Sequence, residues 1–380
     1  VSISIAGGVR PGKVIEIERR LYKQLIVGKH KANAMPDELN VELEESANKL
    51  DIERKALKVR LEKQAQEKSV YFEVSSLLTN TVNNAIEHQL ANPQTILEAS
   101  AICENQILLL DLLLHPDLNI NRLRPIIESI SWLSRDLINL INSPASRHRR
   151  PKHGDVQVTD IKLVLNYIGI ENLRLLVPYF CLRNLLPSGN ANLLWITRKL
   201  WRYSIVSAIA AQTLAELYNK EPSLAYSCAL MYQYSTSIIL SQSGRIFDNT
   251  WGTWLREASH SREKQVYDAI MATEFPAEAV LEQVLLHSHR LNWQLLSLLK
   301  FDDSPITQVL KELDHDYHFT ELSVDAAIVA KASCYAKVLL LEEQQQIDPQ
   351  EKRIMFDYYQ FSEQELIRLK GQNFRKLDLL

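Results

Sequence analysis

Glycine is scarce, ten in 380 residues, and none are grouped as a phosphate-cradling loop. A P-loop or a dinucleotide-binding turn needs glycine at fixed offsets so that the backbone can approach a phosphate, so a nucleotide-binding α/β fold is not expected. Cysteine is equally sparse. Cys103, Cys181, Cys228 and Cys334 are scattered in apolar helical contexts and show none of the short spacings of zinc or redox motifs. They read as small core residues in a reducing compartment, and no cofactor is expected. No stretch approaches the roughly 18 to 20 apolar residues that span a bilayer; Ile107 to Leu114 is short and is split by Asp111. Val1 to Gly8 lacks the basic region and long apolar run of a secretory signal. The expected location is the cytoplasm, without membrane contact. The net charge of -3 gives no global attraction to polyanions and argues against nucleic acid as a partner.

What the chain does have is helical periodicity. Pro11 is placed to open a helix carrying Val14, Ile17, Leu21 and Leu25, with Gly28 closing it. Pro36 to Lys68 reads as a second helix with Leu43, Ala47, Leu50, Leu57 and Leu61 on one seam, interrupted at Arg54. This seam predicts either a coiled-coil or partner-binding helix, or a stripe that packs on the rest of the chain. A third helix, Val70 to Gln89, ends before Asn92-Pro93, a candidate domain boundary. From Ile96 to about Glu343 strongly apolar helices alternate with breaks such as His115-Pro116-Asp117 and Leu186-Pro187-Ser188-Gly189. The stretch Leu200 to Tyr218 is apolar around most of its circumference and belongs in the centre of a core. Only Val1 to Ile5 alternates as a strand would, and no repeat is present, so the fold class is all-α.

Leu118 to Pro144, reading LNINRLRPIIESISWLSRDLINLINSP, closes a pair of helices with Asn142-Ser143, and Asp160 to Val177 reads as helix, turn at Ile168-Gly169, and helix. These stretches, in this order, resemble the HDOD domain, a bacterial signalling branch of the HD metal-dependent phosphohydrolase superfamily. The resemblance runs from about Ile96 to Glu343. It implies a domain of residues 96–345, preceded by a helical, candidate coiled-coil region of residues 1–95 and followed by a helical tail of residues 346–380.

The resemblance also marks where HD chemistry would lie. The family's Leu-Trp-x-His-Ser helix start reads Leu200-Trp201-Arg202-Tyr203-Ser204 here, with Tyr in place of His. The His-Asp pair falls in Ala229-Leu230-Met231-Tyr232-Gln233-Tyr234-Ser235, and both members are replaced. The last ligand, an Asp, would lie near Ala332-Ser333-Cys334, where there is no carboxylate. His289 matches a family His that opens a helix, and Asp314-His315 matches a late pair. An HD site uses imidazoles and a bridging carboxylate to hold divalent ions that activate water. Phenols with a reference pKa of about 10 and an uncharged amide are poor substitutes for these ligands. Tyr203, Tyr232, Gln233, His289, Asp314 and His315 are therefore expected to form a vestigial site. They either fill the space of the lost metal or line a pocket for a small ligand.

One further candidate is Arg147-His148-Arg149-Arg150-Pro151-Lys152-His153, the densest basic cluster. Arg147, Arg149, Arg150 and Lys152 suit an anion or an acidic partner surface, but without interleaved aromatics the plainer reading is a solvated loop. The resemblance as a whole implies a non-catalytic signalling protein that recognises an unknown protein partner, with a homodimer through the N-terminal helix as one arrangement. The alternatives are a phosphohydrolase acting on a nucleotide or cyclic dinucleotide, and a metal-free ligand sensor.

Overall fold

Absence of proline and glycine from Asp51 to Leu90 leaves nothing to stop a helix there, and the chain forms a single helix over that whole span. The computed structural model describes residues 11–28, 51–100, 102–144, 146, 157–187, 193–314 and 318–374. In chain order the helices are α1 (Gly12–Ile26), α2 (Asp51–Leu90), α3 (Pro93–Ala99), α4 (Glu104–Leu112), α5 (Ile120–Ser129), α6 (Ser131–Asn142), α7 (Ile161–Ile168) and α8 (Ile170–Leu185). They continue with α9 (Leu194–Leu217), α10 (Pro222–Met231), α11 (Tyr234–Ser261), α12 (Lys264–Ala272), α13 (Ala277–Leu298) and α14 (Pro305–Asp314). A short 3-10 turn, Phe319–Glu321, precedes α15 (Val324–Glu343), α16 (Pro349–Tyr358) and α17 (Glu363–Lys370). No strand occurs among the described residues, and no helix among them is long and apolar enough to cross a membrane.

The centre is α9, packed against α10 and α15. Its middle alternates bulky and small residues, Val206, Ala208, Ala210, Ala211 and Leu214, all buried, so neighbours approach on most sides. The helix begins at Leu194, earlier than the expected start at Leu200, because no breaker lies between them. α8 lies across α10 and α11, and α4 to α7 form a smaller layer on α8. Gly169, at φ +77°, makes the sharp turn from α7 into α8.

Two segments from the first part of the chain pack onto this body. α1 buries Val14, Ile17, Leu21 and Leu25 against α9, α13, α15 and α16. Gly28 ends that segment at φ +62°, with Trp195 so close that an added Cβ would lie 2.8 Å from its ring. The expected pair of helices up to Lys68 and from Val70 is instead the one helix α2; Leu43, Ala47 and Leu50 lie outside the described residues. Leu57 and Leu61 are half-buried on the face that continues into Leu78, Val82 and Ile86, and these last three are buried where α2 meets α11, α12 and α13.

The tail folds back. Glu365 of α17 is fully buried and accepts from Lys331 Nζ at 2.6 Å and Tyr218 OH at 2.9 Å. Burial would raise its carboxyl pKa, but the Lys331 ammonium and the Ser362 N–H outweigh it and hold the pKa below the usual value. Of the cysteines, Cys181, Cys228 and Cys334 are core residues as expected, whereas Cys103 is exposed because it precedes α4 as its N-cap.

Candidate functional site

Tyr203 is fully buried on α9, and its hydroxyl lies 2.8 Å from Ser333 Oγ on α15. The resemblance would set one HD ligand at Tyr203 and the last one near Ser333, and the packing of α9 on α15 brings these two residues together. The Tyr22 ring of α1 meets Tyr203 edge-on at 6.3 Å. Burial pushes both phenols well above their ordinary pKa, so each stays neutral.

Tyr232 caps the C-terminus of α10 and Gln233 the N-terminus of α11, so the stretch where the resemblance would set the His-Asp pair forms the turn between these helices. Tyr232 OH lies 3.0 Å from His289 Nδ1, with the ring centroids 5.7 Å apart. His289 does not open a helix as expected. It sits inside α13, because Ala277 to Leu298 carries no glycine or proline. The turn is clamped from α13 by a residue that sequence reasoning did not select. Asn292 Oδ1 accepts from Ser235 N at 3.0 Å and from Ser235 Oγ at 2.7 Å, while Asn292 Nδ2 donates to the Tyr232 carbonyl at 2.8 Å. The Ser288 carbonyl lies against the same Ser235 hydroxyl, whose one proton is shared between it and Asn292 Oδ1.

Gln233 is fully buried, and neither its amide oxygen nor its amide nitrogen has a hydrogen-bond partner. Asp314 ends α14 and accepts from Trp293 Nε1 at 2.5 Å, with Arg290 Nε at 3.9 Å. His315 lies outside the described residues, as do Arg147, Arg149, Arg150 and Lys152. The structure does show how the segment containing the basic cluster is closed. Asn142 Nδ2 donates to the Val158 carbonyl at 2.8 Å, and Val158 N donates to Asn142 Oδ1 at 3.0 Å. The Asn of the Asn-Ser dipeptide thus ties the two ends of that segment.

Among the described residues no group of three or more His, Cys, Asp or Glu side chains is placed to hold a metal ion. Two surface clefts lie elsewhere. One, of about 330 Å3, is bounded by Arg202, Tyr335, Phe356 and Phe374; the other, of about 400 Å3, by Asn184, Ile238, Gln242 and Arg245. Neither includes any of the candidate residues.

Sequence reasoning also missed the buried pair of Glu18 on α1 and Lys337 on α15. The signal was there: Lys337 stands between Cys334-Tyr335-Ala336 and Val338-Leu339-Leu340-Leu341, and a charge in such an apolar run needs a buried partner.

No curated protein and no solved structure matches the chain. A family model for the HDOD domain matches residues 102–282. The match begins just before α4 and ends within α13, so His289, Asp314 and Ser333 belong to helices that complete the packing beyond it. The helix pair ending at Asn142-Ser143, the turn at Gly169 and the central α9 all fall inside the match, and over residues 102–282 the chain is an HDOD domain of the HD superfamily.

Proposed function

We propose that this protein is a non-catalytic signalling or regulatory module of the bacterial cytoplasm, which acts by recognising a protein partner and has lost the metal site of HD enzymes. One observation carries this reading. The positions that would supply ligands hold buried groups engaged with one another or enclosed, namely Tyr203 with Ser333, Tyr232 with His289, and Gln233. A divalent ion needs several anionic or imidazole donors converging on one point. These residues do not fit one. A neutral phenol is a weak donor, Gln233 carries no charge to offset a dication, and Tyr232 occupies His289 Nδ1.

The test is metal content per chain in protein purified without a metal-affinity tag, before and after incubation with manganese, iron and zinc, together with turnover of a chromogenic phosphodiester. No metal above background and no turnover are expected. Near-stoichiometric metal that is lost in His289→Ala would restore the phosphohydrolase reading.

A second reading, a metal-free ligand sensor, is favoured by Gln233 alone, whose two unpartnered amide atoms are suited to hold a small polar molecule. Native mass spectrometry decides it. A bound small molecule lost in Gln233→Leu supports the sensor, and a bare chain mass supports the filled core.

A further inference from the structure

The part of α2 that reaches away from the body carries a second apolar stripe, distinct from the Leu57 and Leu61 face. Among residues 51–77 no side chain described is buried, and burial begins at Leu78. The stripe runs through Ile52, Ala56, Val59, Lys63, Gln66, Val70, Glu73 and Leu77, alternating steps of four and three residues, the spacing of a coiled-coil seam. Ile52, Val59 and Leu77 are 82%, 64% and 52% exposed. Most helical stability in proteins comes from packing of an apolar face, and this arm, about 40 Å long at 1.5 Å per residue, buries no described side chain of its own.

We infer that this face of α2 pairs with the same face of a second copy of the chain, in antiparallel orientation. The stripe is symmetric about its middle. Antiparallel pairing sets Ile52 against Leu77 of the second copy and Val59 against Val70 of the second copy, and confines Lys63 and Gln66 to the centre, where they meet each other. Ala56 meets Glu73 of the second copy. The flanking charges choose the orientation. Arg60 lies beside Glu67 of the second copy, twice by symmetry, while Glu62 and Lys55 face Ser69 and Ser76 of the second copy. Parallel pairing would place Lys55 beside Arg60 of the second copy and Glu62 beside Glu67 of the second copy, and would stack Lys63 on Lys63 and Glu73 on Glu73 across the seam. Every one of those contacts is repulsive.

Antiparallel overlap also puts the two helical bodies at opposite ends of the shared arm. The inference deepens the recognition reading by naming the partner of α2, and it fails separately from that reading, which metal analysis decides.

The experiment is sedimentation velocity of the full chain over a concentration series. A reversible dimer is expected. Arg60→Glu and Glu67→Arg, each alone, bring like charges together and weaken it on the order of tenfold; the two combined restore it. A chain that is monomeric throughout overturns the inference, as does a dimer that neither single variant weakens. A dimer tightened by Arg60→Glu is the parallel outcome, because that change relieves the clash with Lys55, and it overturns the orientation. Oxidation of an Ile52→Cys, Leu77→Cys, Cys103→Ser chain gives an independent check, with a covalent dimer through positions 52 and 77 expected and its absence counting against the pairing.

Discussion

Lys337 Nζ donates to Glu18 Oε1 at 2.6 Å, and neither side chain is exposed. The bond joins α1 to α15 across nearly the whole length of the chain, and Tyr359 OH adds a second donor to the same oxygen at 2.9 Å. The first helix is thereby held to the centre of the fold, next to Tyr22 and Tyr203.

Breaking that pair from one side leaves a buried charge uncompensated. Lys337→Met is expected to cost roughly 3–5 kcal/mol. The double variant Glu18→Leu, Lys337→Met should lose less than the sum of the two single changes, because it removes both charges. Urea unfolding of the four chains in a double-mutant cycle measures the coupling.

Glu351 gives the fold an acid-sensitive contact. The Arg20 guanidinium at 2.8 Å holds its carboxyl down to about 2, from an ordinary value of 4.5; burial opposes this, and Lys13 and the Asp348 N–H assist it. Because the folded pKa is depressed, the contribution is complete above pH 4.5 and is lost as the pH falls towards about 2. Glu351→Gln is expected to lower stability near neutrality by roughly 1–2 kcal/mol and to flatten the acid limb in that window. Urea midpoints measured against pH show whether it does.

Asn142 holds both polar groups of the Val158 backbone. Asn142→Ala should cost roughly 2 kcal/mol for the two lost bonds and free the ends of the segment that contains Arg147, Arg149, Arg150 and Lys152. Limited trypsin digestion is expected to cleave after these residues faster in the variant than in the parent chain. An unchanged rate would mean that other contacts close the segment.

Gln233 is expected to be a stability defect in a filled core. Gln233→Met removes two unpartnered polar atoms at nearly constant volume and should raise stability by roughly 1–2 kcal/mol. The thermal midpoint should then rise by a few degrees. A fall would show that the amide is satisfied in solution and that the position matters for binding.

Much of the helical framework was legible because its signals are local. Apolar residues three and four apart mark the buried faces of α1 and α9, and Asn92-Pro93 marks the end of α2 at Leu90, whereas sequence reasoning missed the short helix α3 that Asn92 caps. Gly169 marks an end that backbone geometry requires, at φ +77°, whereas the Asn142-Ser143 end is tied by the Asn142 side chain. Helix lengths were less legible. Stretches of mixed polarity carry weak stop signals, so α2 continues through Ser69-Val70 and α13 continues through His289.

The pattern of residues along one chain could set the all-α class and point to the HDOD domain, because each depends on near neighbours or on an ordered resemblance. It could not pair Tyr203 with Ser333, 130 residues apart, or Glu18 with Lys337, 319 apart. Nor could it separate the face of α2 that meets the body from the face that does not. Such contacts are decided where helices cross, because a buried polar or charged group must find its partner in whatever side chain the packing brings within about 3 Å.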